Sequence, residues 1–162
     1  MSKNLVIVES PAKAKTLGKY LGKDFSVLAS VGHVRDILNK TGSVDPSDSK
    51  NNFSIKFKVD EKKKKVLKDL KQALKKAETL YLATDPDREG EAISWHLLEL
   101  FEEEGLIQKK PVHRVVFYEV TKDAVTEAFK SPQQISESLV DAYLARRVID
   151  YLFGFNLSPL LW

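Results

Sequence analysis

The chain has 162 residues, 43% of them hydrophobic, which suffices for one core of ordinary domain size. Its 26 Lys and Arg against 23 Asp and Glu leave a formal charge of +3, so bulk charge does not by itself argue for a nucleic-acid partner. The absence of Cys excludes disulfides and thiolate metal centres, and the apolar runs fall far short of the roughly 20 residues that span a bilayer.

Leu5, Val6, Ile7 and Val8 predict a fully buried first strand, which Glu9 closes. Ser10 and Pro11 then form an N-cap and first-turn pair, opening a helix through Tyr20 that Gly22 stops. Residues 25–31 predict a second strand, 32–36 a connector, and 39–52 an exposed loop rich in Ser, Asp, Asn and Gly. Strict alternation over 53–59 predicts a half-exposed strand at a sheet edge, where lysines discourage further pairing. A long helix over 61–78 carries Val66, Leu67, Leu70, Leu74 and Ala77 on one stripe, with its lysines toward solvent. Residues 80–83 read as a buried strand, 92–101 as an amphipathic helix and 112–117 as another buried strand. Thr121 caps a helix to Lys130, Ser131 and Pro132 break it, and a last helix covers 136–153 before Gly154. The apolar residues 156–162 are expected to lead on into a larger protein. Alternating strands and helices of this kind predict an α/β fold, a mostly parallel sheet flanked by helices.

The run Thr84-Asp85-Pro86-Asp87-Arg88-Glu89-Gly90-Glu91 packs four carboxylates around one arginine just behind a buried strand. Like charges this close repel, unless a multivalent cation or a solvated loop absorbs the repulsion. In extended backbone Asp85 and Asp87 share a face, and Glu89 sits where the chain turns into a helix. Glu91 falls in the first helical turn, where the dipole favours negative charge. Carboxylate oxygens are hard ligands suited to Mg²⁺, which combines few carboxylates with substrate phosphate. In an open α/β sheet ligands gather beyond the carboxyl ends of the strands, where strand order reverses. If the first strand neighbours the one before the acidic turn, Glu9 faces Asp85, Asp87 and Glu89 across a crevice. The three then hold Mg²⁺, Glu9 trades a proton with a phosphate-ester oxygen, and Lys13 and the helix start at Pro11 seat a phosphate.

Four ordered motifs, Val6 to Thr16, Val31 to Asp36, Leu82 to His96 and Ser158 to Trp162, resemble the N-terminal region of bacterial type IA DNA topoisomerase I, from the first strand to the last residue. The resemblance implies a Rossmann-like TOPRIM domain over residues 1–130, with 131–162 a helical segment beginning the adjoining domain. It implies an enzyme that cuts one strand of negatively supercoiled DNA, passes the other through and reseals, without ATP. Carried over position by position, Glu9 is the general acid or base for the 3′ oxygen and also a metal ligand beside Asp85, Asp87 and Glu89. Lys13, His33, Arg35, Arg88, Arg114, Arg146 and Arg147 are carried over as DNA contacts, with Asp150 one turn beyond the arginine pair. The family often has Arg and Tyr where this chain has Tyr151 and Phe155.

Cleavage in this family passes through a tyrosyl phosphate on a later domain, and Tyr20, Tyr81, Tyr118, Tyr143 and Tyr151 do not match that motif. The chain alone is therefore expected to bind Mg²⁺ and neither to cleave nor to relax DNA. Its partners are expected to be single-stranded DNA and the remaining domains of one monomeric polypeptide, in the bacterial cytoplasm. His96 and His113 lack Ser and Asp partners at triad spacing and are expected in packing or surface roles. Two alternatives remain: a self-contained nuclease or primase-type phosphotransferase, and a non-catalytic receiver-like domain.

Overall fold

Parallel strands covered on both faces require apolar residues at nearly every position, and Leu5 to Val8 and Leu80 to Ala83 supply them. The computed structural model describes residues 3–37 and 55–153. Its elements are β1 (Asn4–Val8), α1 (Pro11–Leu21), β2 (Phe25–Ala29), β3 (Arg35–Ile37), β4 (Phe57–Val59), a 3-10 turn (Glu61–Lys63), α2 (Lys64–Lys76), β5 (Thr79–Leu82), α3 (Arg88–Glu103), β6 (Val112–Arg114), α4 (Lys122–Lys130) and α5 (Glu137–Leu152). Four strands form one sheet in the order β2-β1-β5-β6, every pairing parallel. β3 and β4 pair antiparallel as a separate ribbon.

Side chains of a strand alternate between faces, so each continuous apolar run serves two helix layers. Leu5, Ile7, Leu80 and Leu82 pack with Leu67, Leu70 and Leu74 of α2 and Ile93, Leu97 and Phe101 of α3. Val6, Val8 and Ala83 pack with Leu17 of α1 and Val125 of α4 on the opposite side. The α2 stripe is buried as its spacing predicts. α5, capped by the Ser136 hydroxyl, lies against α3 and buries Val140, Leu144 and Val148.

Three expectations need correction. The second strand ends at Ala29, because Val31 and Gly32 adopt φ of 56° and 79° and turn the chain aside after Ser30 N–H bonds to Val8 O. The connector over 32–36 contains the start of β3, whose three residues show no period and whose partner lies far along the chain. That partner is the expected edge strand, present as Phe57–Val59 in the two-stranded ribbon. β6 is shorter than 112–117: Val115 N–H still reaches Leu82 O at 2.9 Å, and Gln133 then pairs with Arg114. The loop over 39–52, residues 53–54, Gly154, Phe155 and the apolar close lie outside the described residues. No described helix is long and apolar enough to cross a membrane.

Candidate active site at the sheet rim

β1 runs into α1 and β2 on one side, while β5 lies on its other side, so strand order reverses between β1 and β5. Their carboxyl ends therefore open a crevice, the place where such sheets bind ligands. Glu9 leaves β1 there and Asp85 follows β5 by way of Ala83 and Thr84. Glu9 Oε2 accepts the Asp85 N–H at 3.1 Å. Lys13, on the first turn of α1, sets its ammonium 2.9 Å from Glu9 Oε1 and 2.8 Å from Asp85 Oδ1. Ser10 makes this possible by capping α1, its hydroxyl accepting the Lys13 N–H at 3.3 Å. The ammonium also lies 4.8 Å over the Phe117 ring.

The two carboxylates are driven apart. Burial pushes Glu9 above its ordinary pKa, although the Lys13 ammonium pulls the other way. Burial acts upward on Asp85 too, but hydrogen bonds from Lys13 and Glu9, with the charges of Lys13 and Arg114, outweigh it and leave Asp85 lowered. Glu9 is thus the better proton carrier and Asp85 the standing anion.

Asp87 and Glu89 lie on the same turn and face other partners. Asp87 caps α3, its Oδ1 accepting the Gly90 N–H at 2.7 Å. Glu89 Oε1 is 3.3 Å from His33 Nε2. Among the described residues no three acidic or histidine side chains converge as a metal cluster, so the expected gathering of four carboxylates is present only as the Glu9 and Asp85 pair around one ammonium. The donor chemistry fits a hard cation all the same: that pair already shares one positive charge, and Asp85 and Glu89 remain well exposed.

Of the seven cations expected to contact DNA, Lys13 is in the cluster, His33 borders it, and Arg88 is exposed at the start of α3. Arg146 is exposed and reaches Asp150 at 3.4 Å, while Arg147 grips Asp36 with two nitrogens. The other two are enclosed by protein. Arg35 is buried, stacked 4.6 Å from the Phe57 ring and 5.3 Å from Trp95, and bonded to His96 Nδ1 and Glu99. Arg114 is 1% exposed and pairs with Glu91, while its nitrogens donate to the carbonyls of Leu82, Thr84, Asp85 and Val115. A guanidinium so enclosed supports the acidic turn, its nitrogens directed at protein acceptors.

The family model for the Toprim domain matches residues 4–120. This chain belongs to the Toprim domain family. The Toprim chain is 56% identical over 162 residues to DNA topoisomerase 1 of Xylella fastidiosa strain Temecula1, covering 100% of itself and 20% of that protein. It is 53% identical over 159 residues to DNA topoisomerase 1 of Rickettsia bellii, covering 98% of itself and 20% of that protein. Full-length topoisomerase I from Thermotoga maritima superposes with a TM-score of 0.82 at 42% identity, over 98% of this chain and 26% of that one. The resemblance carried by the four motifs is thus matched by both sequence and fold. The chain spans about one fifth of the length of the curated relatives.

Several supports of this Toprim site escaped the sequence reading. Glu91 looks like a helix-dipole acid, yet it is 2% exposed and serves Arg114. Thr84 Oγ1 ties the turn to Gly90 O and Ser94 Oγ, each at 2.6 Å. Tyr143 stacks on His33 with ring centroids 5.3 Å apart. The signal for the first was available: an arginine inside the apolar run Val112 to Phe117 needs a buried acid.

Proposed function

We propose that this chain is the Mg²⁺-dependent catalytic portion of a type IA DNA topoisomerase, which relaxes negatively supercoiled DNA by cutting, passing and resealing single strands. The observation that carries the reading is Lys13 held between Glu9 and Asp85 at the reversal point of a Toprim sheet. The relatives named DNA topoisomerase 1 support it across the whole chain. On this reading the nucleophilic tyrosine is supplied by a further domain, and the chain by itself neither cleaves nor relaxes DNA. The intact polypeptide acts as a monomer in the bacterial cytoplasm.

In this mechanism the α1 N-terminus and the Lys13 ammonium receive the scissile phosphate, exchanging carboxylate partners for phosphate oxygens. Glu9, whose pKa burial raises, holds a proton at Oε1 or Oε2 and passes it to the departing 3′ oxygen, then takes it back on resealing. Asp85, Asp87 and Glu89, with Glu9, would hold Mg²⁺, which supplies neutralisation of phosphate charge when bound. Arg88, His33 and Arg146 serve as contacts for the strand. Arg147 stays engaged with Asp36.

Relaxation of a negatively supercoiled plasmid by the full-length polypeptide tests the reading. The wild type relaxes with Mg²⁺ and stops in chelator, whereas Glu9→Gln and Asp85→Asn fall by about 100-fold or more. Unimpaired relaxation by both variants would overturn it.

A further inference from the structure

Glu91 has two carboxylate oxygens and spends them in opposite directions. Oε1 pairs with Arg114, which donates in turn to the Thr84 and Asp85 carbonyls at 2.8 and 2.7 Å. Oε2 accepts the Ser136 N–H at 2.9 Å. Ser136 is the N-cap of α5, and α5 lies beyond residues 4–120 matched by the Toprim family. One buried ionic relay therefore runs from the backbone that presents Asp85 to the N-cap of a helix beyond the matched residues.

We propose that Arg114 and Glu91 are positioning residues which couple the seating of α5 to the geometry of the acidic turn, and so to its affinity for Mg²⁺. The proposal rests on the metal reading given above. The relay is built for transmission. Arg114 side-chain exposure is 0% and that of Glu91 is 3%, so neither can exchange its partner for water at little cost. The guanidinium fork holds the turn by backbone carbonyls, so a shift of the fork moves the peptide carrying Asp85 rather than one rotamer. Gly90 removes slack on the other side, since the Asp85 carbonyl carbon lies only 2.7 Å from where a side chain on Gly90 would begin. Tilting α5 pulls on Glu91 Oε2 and strains the same turn. Binding coupled in this way is reciprocal, so Mg²⁺ held at the turn also steadies the start of α5.

The test uses the full-length protein in three arms. Calorimetric titration of wild-type protein with MgCl₂ first establishes that the metal binds, and its failure defeats the metal reading itself. Amide hydrogen exchange on the same protein then reports Ser136: Mg²⁺ slows its exchange if the relay operates, and an unchanged rate beside demonstrated binding overturns the coupling alone. Ser136→Pro removes the N–H at a φ of -78° that proline tolerates, while Ser136→Ala removes only the hydroxyl cap. Ser136→Pro raises the Mg²⁺ dissociation constant about tenfold relative to Ser136→Ala, at the lower end of what losing an outer-shell partner costs a metal site. Equal constants for the two overturn the proposal. Arg114→Lys, which keeps the charge and loses the fork, lowers the thermal midpoint and also shows the same weakening of Mg²⁺ binding at temperatures where the variant is fully folded. A loss of stability with unaltered Mg²⁺ affinity would reduce the pair to a structural role.

Discussion

Gly90 shows how closely a single position can limit the site. A methyl group there would run into the carbonyl of Asp85, with the carbonyl carbon at 2.7 Å and the amide nitrogen at 2.9 Å. Those atoms are backbone, pinned by Arg114 and by Glu9, and cannot swing aside as a side chain would. Gly90→Ala therefore costs about 1–3 kcal/mol through overpacking. In the full-length protein it also raises the Mg²⁺ concentration for half-maximal relaxation, because relief of the clash displaces Asp85. Thermal denaturation and a MgCl₂ titration check the two effects, and an unshifted titration would dissociate Gly90 from the site. Asp85 and Glu9 were readable from their places at strand ends. The bonds that separate their pKa values were not, since they depend on Lys13 reaching Asp85 across 72 residues of sequence while still holding Glu9.

At the scale of elements, caps carry much of the design. Ser10, Asp87, Thr121 and Ser136 each accept an N–H from the first turn of α1, α3, α4 and α5. Ser10 and Thr121 were read as caps from the sequence, whereas Ser136 was expected inside its helix. Asp87 was hidden because it also belongs to the acidic run, and its two roles can be separated. Asp87→Ser retains a cap and keeps stability within about 0.5 kcal/mol, whereas Asp87→Ala loses about 1 kcal/mol. Both weaken Mg²⁺ binding if the second oxygen serves the metal. Calorimetry on the serine variant decides, and wild-type affinity there would leave Asp87 as a cap only. The sheet strands were legible because they must be apolar on both faces, and α2 because its stripe repeats. β4 was legible from its alternation, but β3 was not, since Arg35 there is held by Phe57 of β4 and by Trp95 and Glu99 of α3. Burial is what the sequence hid for Arg35 and Arg114, since the partners that enclose each lie on distant segments.

For the molecule as a whole, His96 sets a pH limit. It is 1% exposed, and its Nδ1 accepts the Arg35 Nε proton at 2.7 Å, a bond open only to the unprotonated nitrogen. Burial, with the charges of Arg35 and His33, holds its pKa down to about 2 from 6.5. The unfolded chain therefore binds a proton below pH 6.5 that the folded one refuses. The His96 contribution is complete above that pH and drains away as pH falls, by up to about 1.4 kcal/mol per unit. Urea denaturation followed from neutral to mildly acidic pH should show this slope. Gln at position 96 offers an acceptor that does not titrate, so His96→Gln flattens the profile, and parallel profiles would refute the assignment. The parallel ladder of β1 and β5 has a consequence of a different order. Glu9 follows β1 directly and Asp85 follows β5 by way of Ala83 and Thr84, so both depart from neighbouring strands whose interval is fixed at about 4.8 Å. Remodelled connections around the rim can diversify what is admitted without retuning that interval, whereas one residue inserted within β5 would turn its whole outlet to the opposite face.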